Sequence, residues 1–137
     1  MAYCGRFSNS PDNFVGIHFE ISFMRHCKYH CICIFKHFIH VLLNSLDLAK
    51  QGMEGKIILE GEAVTLVPLM ADPGHFLHPL YLQVRQQDLF VGACRACSHK
   101  LQVAEAIEKE GLPLIGEMSG HPAMSDFIEK GYTLLTF

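Results

Sequence analysis

DLFVGACRACSHKLQVAEAIEKE, residues 88–110, decides how the fold is read. Its first part, Asp88-Leu-Phe-Val-Gly-Ala93, is an apolar run suited to a buried strand. Ser98 to Glu110 then carries Leu101, Val103, Ala104 and Ile107 at helical spacing, with Gly111 placed to cap the end. Cys94-Arg-Ala-Cys97 falls at the junction. A strand that runs straight into a helix is half of a βαβ unit, and the same alternation extends both ways along the chain. Upstream, Phe14 to Phe19 and Lys56 to Glu60 are short buried-strand runs. Between them, Phe38 to Gln51 places Ile39, Leu42, Leu43, Leu46 and Ala49 at helical spacing ahead of a capping Gly52. Pro68 to Gly74 is expected to break any regular element, and His78 to Gln87 to form a short helix. Downstream, Pro113 to Met118 reads as a strand. His121 to Lys130 reads as a helix with Met124, Phe127 and Ile128 inward and Gly131 at its C-cap, and Tyr132 to Phe137 as the last strand. Strand–helix alternation predicts right-handed crossovers and a parallel sheet covered on both faces, an α/β domain spanning 1–137 with a peripheral segment 1–13.

Composition narrows the function classes. The chain has 137 residues, with 11 basic and 14 acidic side chains and a net charge of −3, so there is no basic excess with which to displace counterions from nucleic acid. Half the residues are apolar and mean hydropathy is +0.20, which excludes a disordered chain. The longest stretch free of Asp, Glu, Lys and Arg is only Pro73 to Val84, short of the roughly 20 residues a membrane-spanning helix needs. Met1 to Asn13 has no basic region followed by an apolar one, so no signal peptide is expected and the location is read as cytoplasmic. Reduced cysteines in that compartment point to redox, sulfur or metal chemistry rather than structural bridges. The apolar surplus, including Phe76 to Leu82, is expected to bury subunit contacts.

In open parallel sheets ligands bind beyond the carboxyl ends of the strands. Those ends bring forward the loop after Phe19, Glu60 to Glu62, Cys94 to Cys97, and Met118 to His121. Cys94 and Cys97 form a CxxC at a strand–helix junction. The helix start is expected to lower the Cys94 pKa, and Arg95, with His99 when protonated, to favour the thiolate. The bland alternative is two small buried side chains. Glu62 is placed to act as a base or to orient a histidine, or simply to be solvated, and His121 to be a proton donor or a ligand, or a cap. A second cluster, from His26 to His40, has His26/His30 and Cys27/Cys31 four residues apart. On a helix these pairs share a broad face and offer ligands to zinc or another soft divalent metal. Incidental residues at a helix start are the alternative. No dinucleotide, P-loop, zinc-protease or serine-hydrolase motif is present.

Lys56-Ile-Ile-Leu-Glu-Gly-Glu-Ala-Val64, Phe90-Val-Gly-Ala-Cys-Arg-Ala-Cys97, Gly120-His-Pro-Ala-Met124 and Gly131-Tyr-Thr-Leu-Leu-Thr-Phe137 together resemble the DsrE/DsrF-like family of small cytoplasmic sulfur-relay proteins. The likeness covers roughly Val41 to Phe137, with Phe14 to Phe19 as the first strand. It implies a three-layer α/β/α, Rossmann-like sandwich around a five-stranded, mainly parallel sheet, assembled into trimers or hexamers. It also implies a cysteine that carries sulfane sulfur as a persulfide, and the matching position is Cys94. Cys97 matches the second cysteine of the subgroup that has a CxxC. Ile21 to His37 departs from the family pattern, and Cys27, Cys31 or Cys33 are candidates there for sulfur exchange with Cys94.

The expectation is therefore a sulfurtransferase-type carrier that needs no organic cofactor and works with sulfur-donor and sulfur-acceptor proteins. The alternatives are a thiol–disulfide switch using Cys94 and Cys97, and a non-enzymatic metal- or partner-binding oligomer.

Overall fold

A computed structural model of the chain describes the backbone of residues 14–21 and 30–136 and the side chains of 37–136. Segment 1–13, segment 22–29 (which holds His26 and Cys27) and Phe137 lie outside the described residues. The elements are β1 (Phe14–Ile21), α1 (His30–Lys50), β2 (Glu54–Gly61), a 3-10 turn (Glu62–Thr65), α2 (Leu66–Ala71), α3 (His78–Gln86), β3 (Phe90–Cys94), α4 (Arg95–Lys100), α5 (Ala104–Lys109), β4 (Leu114–Ile115), α6 (Met124–Glu129) and β5 (Thr133–Thr136). The strands hydrogen-bond in the order β4-β3-β2-β1-β5. Every pairing is parallel. The expected α/β class and parallel sheet are present.

β1 pairs with β2 from Phe14↔Glu54 to Ile21↔Gly61. Between β2 and β3 the register slips by one residue: Ile57 faces Phe90 and Ile58 faces Gly92, so Val91 is bulged out. Because the strands are parallel, Gly61, Cys94 and Ile115 emerge at the same edge, and the loops that follow them meet there.

The core lies between the sheet and its crossover helices. α1 buries Phe38, Val41, Leu42 and Ser45, one stripe at helical spacing, and packs on β2 and α3. Val67 and Met70 of α2, Tyr81 and Val84 of α3, Ile107 of α5, and Ile57 and Leu59 of β2 complete a contiguous apolar cluster. The Ser45 hydroxyl, buried in this layer, donates to the Gly55 carbonyl and ties α1 to β2. α6 packs on β5 and contributes no fully buried residue.

Several expectations need correction. α1 begins eight positions before Phe38, and Leu43 stands 45% exposed instead of facing the core. Residues 68–74 do not break the chain at Pro68, because Pro68 lies in the first turn of α2, where no intrahelical N–H is required. The helix expected over Ser98 to Glu110 is two helices, divided at Gln102, whose φ of 58° no continuing helix allows. Leu101 is consequently exposed. The strand from Pro113 shortens to Leu114–Ile115. α6 starts at Met124, since His121 precedes a proline and is steered to extended backbone. Its Met124 and Ile128 face outward. Gly52, Gly111 and Gly131 do take the left-handed conformation expected of caps. Among the described residues, no helix is long and apolar enough to cross a membrane.

Candidate functional site

The site is built where β3 passes into α4. Cys94 is the last residue of β3 and the N-cap of α4, and its side chain is fully buried. The buried Ser98 hydroxyl donates to the Cys94 carbonyl at 2.7 Å and locks the first turn of α4 against the strand end. Cys94 Sγ accepts from the backbone N–H of Cys97 at 3.5 Å. Cys97 is half-buried, and its own sulfur accepts from the N–H of Gly61, at the end of β2, at 3.3 Å. Main-chain donors from the first turn of α4 and from the end of β2 thus orient the two sulfurs. Both cysteines are free thiols.

A tight turn brings in the third group. Met118 and His121 exchange backbone hydrogen bonds at 2.9 Å each way, across Ser119 and Gly120, both at positive φ. That pair of conformations is the sharp turn that favours glycine at its second position. The Gly120 carbonyl accepts from the Ala96 N–H at 2.9 Å, so the turn is docked on the start of α4. Space there is limited: a Cβ on Gly120 would sit 3.3 Å from that of Ala96. The docking sets His121 Nδ1 3.2 Å from Cys94 Sγ, with the Gly120 carbonyl oxygen 3.7 Å from the same sulfur.

Burial dominates the electrostatics. It pushes the Cys94 thiol up to about 11 from an ordinary 9.0. The Cys97 N–H pulls the other way, and the neighbouring Cys97 thiol and the Glu60 carboxylate raise it further. The expected acidification is therefore overturned. One N–H at 3.5 Å stabilises a buried thiolate less than water would. The expected cationic help is also absent, since the Arg95 guanidinium donates to the Leu114 carbonyl at 3.3 Å and His99 is exposed in the last turn of α4.

Cys94, Cys97 and His121 each offer a ligand atom, and these three atoms lie within 4.8 Å of one another, a set that can hold a metal ion. Compared with known proteins, the chain is similar to the uncharacterized protein MJ0733 of Methanocaldococcus jannaschii, at 35% identity over 97 residues, which span 71% of this chain and 77% of that protein. The chain belongs to the MJ0733 family. No protein-family model matches it, and no solved structure matches it.

In this MJ0733-family chain the structure joins three of the six residues singled out from sequence for thiol chemistry and its support: Cys94, Cys97 and His121. Arg95 and His99 are turned to other work or to solvent. Glu62 opens the 3-10 turn, where its carbonyl accepts from the Thr65 hydroxyl. The carboxylate whose charge bears on Cys94 is Glu60, 8% exposed at the end of β2. The sequence brought Glu60 forward with Glu62 at the strand end, and its even spacing from Ile58 puts it on a covered sheet face. Of the metal candidates, His26 and Cys27 lie outside the described residues, and His30 and Cys31 open α1. The metal-capable set among the described residues is elsewhere in the chain.

Proposed function

We propose that the protein is a sulfur carrier of sulfurtransferase type, which passes sulfane sulfur through a persulfide on Cys94. The observation that carries this reading is the meeting of a buried thiol, a second thiol and an imidazole nitrogen at the carboxyl edge of a parallel sheet. The step balances without an outside oxidant. The Cys94 proton passes to His121 Nδ1, and the thiolate attacks the outer sulfur of a donor R–S–SH. An S–S bond forms at Cys94, the donor's S–S bond breaks, and the donor leaves as a thiol after taking up a proton. A thiol raised to about 11 needs such a base. Cys97 is the less buried of the two cysteines. The reading extends to a single three-layer α/β/α domain of DsrE/DsrF-like type, acting in the cytoplasm as a trimer or hexamer with donor and acceptor proteins.

Incubation of the reduced protein with a small persulfide, followed by intact-mass measurement, is expected to add one sulfur to the wild type and none to Cys94→Ser. Retention of the adduct in Cys94→Ser with its loss in Cys97→Ser would move the carrier to Cys97 and overturn the assignment. A second reading, a thiol–disulfide switch, is favoured by the sulfurs of Cys94 and Cys97 lying within 4.8 Å. It requires a disulfide that forms reversibly in mild oxidant and a Cys97→Ser variant as inactive as Cys94→Ser.

A further inference from the structure

The same corner of the molecule has a property that does not depend on sulfur transfer. Two sulfurs and one imidazole converge from two separate stretches of chain: the CxxC that joins the end of β3 to the first turn of α4, and the turn before α6. Each is fixed by main-chain contacts. Cys94 Sγ accepts from the Cys97 N–H, Cys97 Sγ accepts from the Gly61 N–H, and the His121 turn is pinned by the Ala96 N–H on the Gly120 carbonyl. Backbone donors to both sulfurs are the outer-shell support that thiolate–metal sites use to orient their ligands.

Dimensions and chemistry select the ion. With Zn–S near 2.3 Å and Zn–N near 2.0–2.1 Å, a tetrahedral centre holds its ligand atoms roughly 3.5–3.8 Å apart. The cluster has 3.2 Å between Cys94 Sγ and His121 Nδ1 and no separation above 4.8 Å, so adjustments on the scale of a side-chain rotation suffice. Two soft sulfurs and an imidazole suit zinc and exclude magnesium or calcium, which take oxygen ligands. Three protein ligands leave a fourth position open, as in zinc sites that exchange a small ligand.

We propose that Cys94, Cys97 and His121 form a binding site for one zinc ion, with the fourth coordination position given to an exchangeable small ligand. Binding breaks two S–H bonds, forms two Zn–S bonds and one Zn–N bond, and releases two protons to solvent; no atom changes oxidation state. The two thiolates neutralise the ion's charge. A zinc-loaded site holds both sulfurs, so metal binding and persulfide formation exclude one another.

The test is a competition titration of the reduced full chain with zinc against a chromophoric chelator, in the Cys27→Ser, Cys31→Ser, Cys33→Ser background that removes the other thiols of the histidine-rich segment. One equivalent is expected to bind, and adding Cys94→Ser or His121→Ala should weaken it at least tenfold. Absence of that equivalent, or binding indifferent to both substitutions, overturns the site. Should a variant fail to fold, alkylation of the unmodified protein decides. Zinc should shield Cys97, the less buried thiol, from iodoacetamide, as read by peptide mass, and equal labelling of Cys97 with and without zinc overturns the proposal. Sulfur loading is measured separately on metal-free protein, so either reading can fail without the other.

Discussion

Cys94 shows two opposed effects at one atom. Its position at the start of α4 supplies a hydrogen bond from the Cys97 N–H, which favours the thiolate. Complete burial removes the water that would solvate that charge, and Glu60 adds a like charge nearby. Burial wins, and the thiol rises to about 11. Two consequences are measurable. Iodoacetamide labelling of Cys94, followed by peptide mass, should rise with pH to a midpoint near 11 and not level off below 9.0. Stability follows from the same shift. A thiol whose folded value lies above its unfolded one contributes stability that is complete below pH 9.0 and is lost as pH climbs towards 11. Urea midpoints at pH 8 to 11 should therefore fall more steeply in wild type than in Cys94→Ala. Burial also raises Tyr81 to about 12, but that residue is common to both proteins and drops out of the difference. Parallel slopes would show that Cys94 is not the group responsible. His121→Ala removes the nitrogen 3.2 Å from the sulfur and should slow sulfur loading at neutral pH about 10²-fold or more, with recovery as pH rises and the thiol ionises unaided. Equal loading rates at pH 7 would remove His121 from the proton transfer.

The elements that carry the site depend on close approaches that a single methyl group disturbs. β3 and β4 pair only through Ala93↔Leu114 and Cys94↔Ile115. A Cβ at Gly92 would lie 2.5 Å from the Pro113 carbonyl oxygen, which is backbone and cannot rotate away. Gly92→Ala is expected to push β4 off β3 and destabilise the protein by about 1–3 kcal/mol, the usual range for overpacking. The check is a lowered urea midpoint at unchanged slope, and an unaltered midpoint would show that the strand pair yields freely. The same distinction between local and distant causes explains what the sequence disclosed. Strand runs such as Ile57 to Leu59 and the glycines at 52, 111 and 131 are local signals, and they fall where expected. The CxxC was legible because a strand and a helix start flank it directly. The break at Gln102 was not, since nothing in Leu101-Gln-Val103 interrupts the apolar spacing. His121 was named as a proton donor or ligand, but its meeting with Cys94 was not legible, because it lies 27 positions away and reaches the sulfur only through a backbone turn that docks on Ala96. Expecting acidification from the cysteine's helical position failed for a related reason: burial is a property of the packed molecule, and no short motif encodes it.

At the scale of the whole molecule, the helices differ in how much they bury. The crossovers of α1, α2, α3 and α5 build the contiguous core, whereas α6, packed on β5, buries none of its residues fully. Met124 and Ile128, four residues apart and so on one face of α6, are 39% and 60% exposed. Isolated exposed apolar residues are ordinary, but a helical pair beside an edge strand presents a surface that water covers poorly. β5 is that edge, with its outer backbone groups open to a further partner within the sheet described. In the trimer or hexamer proposed above, a second copy of the chain is the natural cover for this face. Light scattering after gel filtration should then return three or six times the 15.4 kDa of one chain. Ile128→Asp, which places a charge on this face at a residue 60% exposed, should move the mass towards 15.4 kDa while leaving the far-ultraviolet circular dichroism unchanged. A wild-type protein that runs at 15.4 kDa would exclude the oligomer, and an Ile128→Asp variant that keeps the full mass would place the subunit contact elsewhere on the surface.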